Sequence, residues 1–196
     1  KPHSASLTTA ALIQEITFLN NDSAIDGILV QLPLPAHINP LTILHHIDPT
    51  KDVDGLHPLN SGKLLSGDTN TFIPCTPLGI KTLLERSNIE VTGKHVIVLG
   101  RSNLVGKPMA AILMQNALGG NATVTVAHSK TKNIRELCLL ADVIIAAIGQ
   151  PRFVTADMVK EGAVVIDVGI NKITSTMAPK GYEIVGDVDF DHVKDK

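Results

Sequence analysis

The chain has 196 residues, of which 44% are hydrophobic and 18% are charged, and its formal net charge is -2. This composition supports a buried core in one domain or two small lobes, and it shows neither the basic excess that indicates nucleic acid binding nor an apolar run near the roughly 18 residues of a membrane span. Because Cys75 and Cys138 are the only cysteines and lack CxxC spacing, we expect a cytoplasmic protein that binds a small molecule, with no disulfide framework, metal, nucleic acid or membrane.

The first third of the chain predicts a helix followed by a strand. Leu12, Ile16 and Leu19 recur at helical spacing within residues 6–22, and the β-branched run 26–31 is typical of a buried strand. Two further helices are predicted, over 40–47 and over 74–88. In the second of these, Thr76 suits the N-cap and Pro77 the first helical position, and this helix is expected to link two lobes.

From residue 94 onward, strands and helices alternate regularly. The strands are predicted over 94–100, 122–128, 142–149 and 163–169, and the helices over 105–117, 133–141 and 155–162. Alternation with nearly continuous apolar strands indicates a parallel sheet covered on both faces. The fold class is therefore α/β, with a doubly wound, Rossmann-like domain that binds its ligand at the carboxyl ends of the strands.

The loop after the first of these strands resembles a degenerate dinucleotide fingerprint. Gly100 ends the strand and Gly106 enters the helix, which suits the approach of a pyrophosphate, but Ser102 replaces the middle glycine and leaves a purely structural turn as the alternative. Arg101 lies in this loop, and the next strand ends at Ser129 without an aspartate or glutamate. Both features favour NADP over NAD. The alternatives are a solvated Arg101 and a serine that only precedes a helix.

Polar residues in the first third are the remaining candidates. Gln31 ends an apolar run, where it either is satisfied by backbone or orients a functional group. Asp52 and Asp54 flank a turn with Gly55, so one carboxylate can cap the turn while the other faces a ligand. Near the end of the chain, Asp187 is interpreted as making only local turn or cap hydrogen bonds, as is Asp189.

Taken together, these segments resemble the methylenetetrahydrofolate dehydrogenase/methenyltetrahydrofolate cyclohydrolase family. The resemblance covers nearly all of residues 12–190 and lies in the segments DGILVQLPLPAHI, PTKDVDGLHPLNSGKL, PCTPLGIKTLL, GKHVIVLGRSNLVGKPMA, ATVTVAHSKT, ADVIIAAIGQP, VVIDVGIN and VGDVDF. It implies a bifunctional enzyme that oxidises 5,10-methylenetetrahydrofolate with NADP and hydrolyses the product to 10-formyltetrahydrofolate. A homodimer is also implied.

The resemblance also assigns site residues. Gln31 corresponds to the glutamine that positions the catalytic lysine, and Asp54 to the aspartate that binds the pterin ring, with Leu32 and Pro33 as further substrate-binding positions. Arg101 and Ser129 correspond to the residues that meet the 2′-phosphate, and Ile170 lies on the nicotinamide side. The other cofactor-binding positions are Gly100, Ser102, Val105, Gly106, His128, Thr131 and Gly149.

Part of the family pattern is not found in this sequence. The family's lysine, four residues after a tyrosine on a helix upstream of residues 6–16, has no counterpart, since Tyr182 is the only tyrosine and no lysine follows it at that spacing. We expect an enzyme represented by an incomplete chain. The alternatives are a truncated NADP-binding module or partner subunit without cyclohydrolase activity, and a dehydrogenase of another metabolite.

The resemblance also predicts the domain organisation, with a smaller and incomplete α/β folate-binding lobe beside the dinucleotide domain. Residues 1–75 are assigned to part of the folate-binding catalytic domain and 76–92 to a linking helix. Residues 93–190 form the cofactor domain, and 191–196 begin a return to the first domain.

Overall fold

The computed structural model describes residues 2–176 and 178–196. The chain divides into two compact units, Lys1–Cys75 and Thr76–Lys196. Each unit has its own cluster of buried apolar side chains, and each is described by itself.

Within residues 2–75, unit 1 contains three helices, each with a side chain that caps its first turn. The hydroxyl of Thr8 accepts from the N–H of Ala11, the amide of Asn39 accepts from Leu41, and the ring of His57 accepts from Leu59. The helices are α1 Thr9–Asn21, α2 Pro40–Leu44 and α3 Pro58–Ser66. The apolar faces of α1 and α2 meet in a core that consists of Leu12, Ile16, Ile28, Ile38, Ile43, Leu44, Ile47 and Leu56.

The predicted buried strand over 26–31 is wrong. Only Ile28 pairs, in an isolated parallel bridge with Asp52, and Leu29 beside it is 55% exposed. Pro33 and Pro35 follow closely and have no N–H to donate to a ladder, so the pairing does not continue past this point. The segment reaches the core through one side chain rather than as a strand.

Unit 2 contains the doubly wound domain. Its parallel sheet has the strand order β2-β1-β3-β4, so the chain runs outward from β1 to β2, crosses back to β3 and continues to β4. The elements in chain order are α4 Cys75–Arg86, β1 His95–Leu99, α5 Gly106–Leu113, β2 Thr123–Ala127, α6 Ile134–Leu140, β3 Val143–Ala146 and β4 Val164–Asp167. The predicted Rossmann-like α/β fold is confirmed.

The central strands carry the core of unit 2. All four residues of β3 are buried, and in β1 only His95 is not. The strands are apolar on both faces because helices cover both sides of a parallel sheet. Strand β2 adds Ala127 to this core, and the surrounding helices and loops add Cys138, Ala141, Val154, Met158, Val159, Val188 and Val193.

Two helix predictions are corrected. Helix α4 begins at Cys75, one residue before Thr76, so Thr76 is not the N-cap. Pro77 remains in the first turn, where its missing N–H breaks no hydrogen bond. The helix predicted over 155–162 is a single 3₁₀ turn, Ala156–Met158, because Val154 is held by a bridge to Val188 on one side and the chain turns into β4 on the other.

The end of the chain forms elements that the sequence pattern did not predict. Strands β5 Asn171–Thr174 and β6 Tyr182–Val185 pair as an antiparallel hairpin, and α7 Phe190–Val193 follows. The Lys172 ammonium lies 3.8 Å from the centre of the Tyr182 ring, which ties the two strands together. Val193 packs in the core of unit 2, and the N–H of Gly162 donates to the carbonyl of Lys196 at 2.7 Å.

Candidate functional site

The carboxyl ends of the four parallel strands bring most of the predicted cofactor-binding residues to one edge of unit 2. We call this the carboxyl edge and define it as residues 100–106 after β1, 128–131 after β2, 147–149 after β3 and 168–171 after β4. The strand order reverses between β1 and β3. In open parallel sheets a crevice forms at this reversal, and ligands bind there.

Glycines allow the loops after β1 and β3 to touch. Gly100 has φ +121, and a Cβ at this position would overlap the carbonyl oxygen of Ala147. A Cβ at Gly106 would overlap the carbonyl of Gly100 in the same way. The backbone therefore closes tightly around the start of α5, as glycine-rich turns do where phosphate groups approach helix N-termini.

Ser102 organises this loop from within. Its Oγ accepts from the N–H groups of Val105, at 3.0 Å, and Gly106, at 3.5 Å, while its carbonyl accepts from the N–H of Lys107 at 3.0 Å. The hydroxyl thus satisfies N–H groups at the start of α5, whose N-cap residue is Val105. Arg101 is exposed beside it, so a cationic side chain borders the loop.

The loop after β2 is closed by reciprocal hydrogen bonds. The N–H of His128 donates to Thr131 Oγ1 at 2.9 Å, and the N–H of Thr131 donates to the His128 carbonyl at 2.7 Å. The N–H of Lys130 donates to His128 Nδ1 at 3.2 Å. These bonds leave Ser129 exposed at the tip of the loop.

The loops after β3 and β4 are joined by Asp187, which sequence analysis interpreted wrongly. Its carboxylate is completely buried, and Oδ2 accepts from the N–H groups of Ile148, at 2.7 Å, and Gly149, at 2.8 Å. Oδ1 accepts from Asn171 Nδ2 at 2.8 Å. These bonds reach across the fold rather than along the chain, so the expectation of local bonds is wrong for Asp187.

A second carboxylate supports the first. Asp167, the last residue of β4, accepts from the N–H groups of Gly169, Asp187 and Val188 at 2.9, 2.9 and 3.1 Å. In contrast, Asp189 bonds locally to the ring of His192, as expected. The only sequence signal for Asp167 was its position directly after the apolar residues of β4.

In unit 1, the predicted loop KDVDG combines two structural charges with one carboxylate that faces solvent. Lys51 Nζ donates to the carbonyls of Leu19, Asn20 and Asp22 at 3.0, 2.8 and 2.7 Å, and so satisfies the C-terminal end of α1.

The two aspartates of this loop differ in their surroundings. Asp52 is buried, and its Oδ2 accepts from the N–H of His57 at 2.8 Å and from Asn60 Nδ2 at 2.9 Å. Asp54 is half-buried, and partial burial, with a smaller effect from the nearby Asp52 charge, raises the pKa of its carboxyl group. The prediction that one carboxylate caps the turn while the other can meet a ligand fits this geometry. Gly55 has φ +65, and a Cβ there would lie 2.5 Å from the carbonyl oxygen of Phe72.

Gln31 is exposed, at the end of the segment that was predicted to form a buried strand. Its Nε2 donates only to the neighbouring carbonyl of Leu32, at 3.1 Å, among the hydrogen bonds described. Gln31 and Pro33 border a groove of about 490 Å³ against α1, which is lined mainly by apolar residues. The bridge between Ile28 and Asp52 is parallel. The segment that continues to Gln31 and the segment that continues to Asp54 therefore leave the bridge in the same direction.

Two negative observations apply to residues 2–176 and 178–196. No group of three or more His, Cys, Asp or Glu side chains in these ranges could hold a metal ion. No helix in them is long and apolar enough to cross a membrane.

Comparison with known families assigns both units to related proteins. Residues 2–54 match the model of the tetrahydrofolate dehydrogenase/cyclohydrolase catalytic domain, and residues 74–196 match the model of the NAD(P)-binding domain of the same name. A bifunctional protein FolD of Protochlamydia amoebophila is 64% identical over 191 residues, which cover 97% of this chain and 65% of that protein. The chain therefore spans somewhat less than two thirds of its relative's length.

Solved structures agree with these matches. The bifunctional FolD methylenetetrahydrofolate dehydrogenase/cyclohydrolase of Campylobacter jejuni superposes with a TM-score of 0.89 at 46% identity, over 97% of this chain and 64% of that chain. The Trypanosoma brucei methylenetetrahydrofolate dehydrogenase-cyclohydrolase, solved with NADP and an inhibitor, gives a TM-score of 0.90 at 40% identity, over 98% of this chain and 64% of that chain.

Proposed function

Because the chain belongs to the tetrahydrofolate dehydrogenase/cyclohydrolase family, we propose that the protein is a bifunctional enzyme of one-carbon folate metabolism. Its two reactions are the NADP-dependent oxidation of 5,10-methylenetetrahydrofolate to 5,10-methenyltetrahydrofolate and the hydrolysis of that product to 10-formyltetrahydrofolate. The observation that carries the proposal is the glycine contact between Gly100 and Ala147 at the carboxyl edge, within the segment that matches the NAD(P)-binding domain.

The carboxyl edge fits a dinucleotide because its glycines fold the loop after β1 tightly against the start of α5. Gly100 and Gly106 pack against the carbonyls of Ala147 and Gly100, as in the turn that brings a pyrophosphate to a helix N-terminus, and Arg101 with Ser129 supplies a cation and a hydroxyl for the 2′-phosphate that distinguishes NADP from NAD. When bound, NADP accepts the hydride. The other residues assigned to the cofactor are Ser102, Val105, His128, Thr131, Gly149 and Ile170.

Unit 1 is proposed to bind the folate. Asp54 is assigned to the pterin ring, since an ionised carboxylate accepts two parallel N–H bonds from such an edge. Its neighbours Lys51 and Asp52 are committed to the fold, so this carboxylate can bind a ligand without loss of a structural hydrogen bond. Gln31, Leu32 and Pro33 form the second part of the proposed substrate site.

The chemistry needs few charged groups on the protein. The hydride step depends mainly on the orientation of two rings, and the cation that it produces is delocalised over two nitrogens. The hydration step needs a proton carrier. In the family this carrier is a lysine upstream of the segment that contains α1, and we propose that Gln31 orients that lysine in the whole protein.

The domain boundaries and the biological setting belong to the same proposal. Residues 1–75 are assigned to the folate-binding domain, 76–92 to the link, 93–190 to the cofactor domain and 191–196 to the start of a return. The proposed location is the cytoplasm, the proposed assembly is a homodimer, and the formyl product is proposed to serve purine biosynthesis.

The proposal is tested with the protein that carries these 196 residues. We expect formation of methenyltetrahydrofolate that requires both methylenetetrahydrofolate and NADP, and subsequent hydrolysis of the methenyl product. Binding of NADP without either reaction would favour the alternative of a cofactor-binding module. Absence of NADP binding in calorimetry would overturn the proposal altogether.

A further inference from the structure

We infer that Asp187 is a positioning residue, which sets the shape of the loops after β3 and β4 against the bound dinucleotide. The inference rests on the proposed function, since it takes Gly149 and Ile170 as residues that border NADP. It goes beyond that function because Asp187 itself is completely buried and touches neither solvent nor ligand.

The Asp187 carboxylate holds both the loop after β3 and the loop after β4. Oδ2 accepts from the consecutive N–H groups of Ile148 and Gly149, at 2.7 and 2.8 Å, directly after β3. Oδ1 accepts from Asn171 Nδ2, at 2.8 Å, one residue beyond Ile170. Because the two oxygens bond to different loops, the spacing between those loops is set by the width of a single carboxylate.

The backbone and carboxylate of Asp187 are held in place by their surroundings. The N–H of Asp187 donates to Asp167 Oδ1 at 2.9 Å, and the N–H of Val154 donates to the Asp187 carbonyl at 2.9 Å. A Cβ at Gly169 would overlap Asp187 Oδ1, and a Cβ at Gly186 would overlap the Asp167 carboxylate. The main chain thus packs directly against both acids.

The loop after β3 offers a ligand no N–H group from Ile148 or Gly149. Gly149 has φ +71 and is exposed, but its N–H points to Asp187 and not to the crevice. The N–H of Ile148 is occupied in the same way. This loop therefore contributes shape to the cofactor site rather than backbone hydrogen-bond donors.

The experiment compares Asp187→Ala with Asp187→Asn by calorimetric titration of NADP into the 196-residue chain. In D187A three donors lose their buried acceptor, and we expect NADP binding at least about tenfold weaker than in wild type. In D187N the new Oδ1 can still accept from Ile148 and Gly149, and Asn171 can turn its amide to accept from the new Nδ2. We therefore expect D187N to bind NADP within about threefold of wild type.

The matched control is Asp142→Ala, at the opposite end of the same sheet. Asp142 also joins two segments, because it accepts from the N–H of His95 at 2.8 Å and from Lys160 Nζ at 2.6 Å. We expect D142A to lower the unfolding temperature but to leave NADP affinity unchanged. In the whole protein, D187A should raise KM for NADP more than it lowers kcat.

Amide hydrogen exchange separates this inference from the proposed function. We expect Ile148 and Gly149 to be protected in the wild-type chain without ligand, to exchange faster in D187A and to regain protection in D187N. Wild-type protein that binds no NADP would contradict the proposed function, whatever the exchange shows. Wild-type protein that binds NADP, together with D187A of equal affinity, would overturn the inference, as would D187N as weak as D187A.

If D187A does not fold, Asn171→Ala tests the same bond from the other side. This variant removes only the link between Asp187 and the loop after β4, so we expect NADP binding about threefold to tenfold weaker. Unchanged affinity in N171A would then overturn the inference.

Discussion

At the scale of single residues, the loop KDVDG shows how neighbouring charges acquire different tasks. Lys51 and Asp52 are consumed by hydrogen bonds within unit 1, whereas Asp54, two residues later, retains its carboxylate at the surface. Partial burial and the nearby Asp52 raise the pKa of Asp54, in that order of importance. A carboxylate kept partly out of water without a compensating bond opposes folding at neutral pH, which is typical of a residue retained for binding.

This contrast predicts opposite phenotypes for two substitutions in one loop. Asp54→Asn should weaken binding of a tetrahydrofolate derivative by about tenfold to a hundredfold, since it replaces a charged acceptor by a neutral one. Its stability should stay within about 1 kcal/mol of wild type, because the group remains in contact with water. Asp52→Ala should instead cost about 2–5 kcal/mol, because it leaves two donors unpaired in the interior. Calorimetric titration and urea unfolding measure the two effects.

The raised pKa of Asp54 determines how this residue changes the stability of the fold with pH. Its pKa is higher in the folded state than in the unfolded chain, so the folded state binds the proton more readily. This carboxyl group therefore destabilises the fold at neutral pH, and the effect disappears as the pH falls below the ordinary value of 3.8. D54N should be equal to or slightly more stable than wild type at neutral pH, and a clear loss of stability would contradict this account.

Sequence patterns predicted the local chemistry of such residues better than their long-range contacts. The two roles in KDVDG follow from spacing and from the freedom of Gly55. The exposure of Gln31 and the reach of Asp187 to Ile148 do not, because both depend on segments that are distant in sequence. The buried Asp187 carboxylate accepts hydrogen bonds from N–H groups alone. No pattern along the chain predicts which N–H groups these are.

At the scale of elements, the predictions held where the apolar pattern was long and were wrong where tertiary contacts decide. The strands β1 to β4 were predicted because strands buried on both faces are continuously apolar. The strand over 26–31 was overpredicted, since only Ile28 finds a partner. The hairpin β5–β6 was missed because its strands are only four residues long, contain no buried residue and carry Lys172 and Glu183.

The glycine contact between the loops after β1 and β3 is an element-scale feature that can be tested. Gly100→Ala should cost several kcal/mol and abolish measurable NADP binding, because it combines an unfavourable φ with an overlap on the Ala147 carbonyl. Gly162→Ala is the matched control, with φ +72 and no atom within 4 Å of the added methyl group. It should cost about 1–2 kcal/mol and leave NADP affinity intact. Equal binding losses in both variants would show that close approach at Gly100 is irrelevant to the site.

At the scale of the whole molecule, the division into units 1–75 and 76–196 separates the two proposed ligands. Each unit has an apolar core of its own, and each contains the residues assigned to one of the ligands. Sequence alternation predicted the parallel sheet of the second unit but the first unit only in outline, since the helices and the one bridge described there leave little periodicity to detect.

Ligand linkage provides the test at this scale. NADP at about 100 times its Kd should stabilise the unit that binds it by about 2.7 kcal/mol. If the cores behave as separate cooperative units, hydrogen exchange should slow in peptides from 76–196, most of all in the four loops of the carboxyl edge, and stay nearly unchanged in peptides from 1–75. A tetrahydrofolate analogue should protect the region around Asp54 first. Uniform protection of both units by NADP alone would show one cooperative structure, and protection confined to 1–75 would contradict the assignment of the cofactor to unit 2.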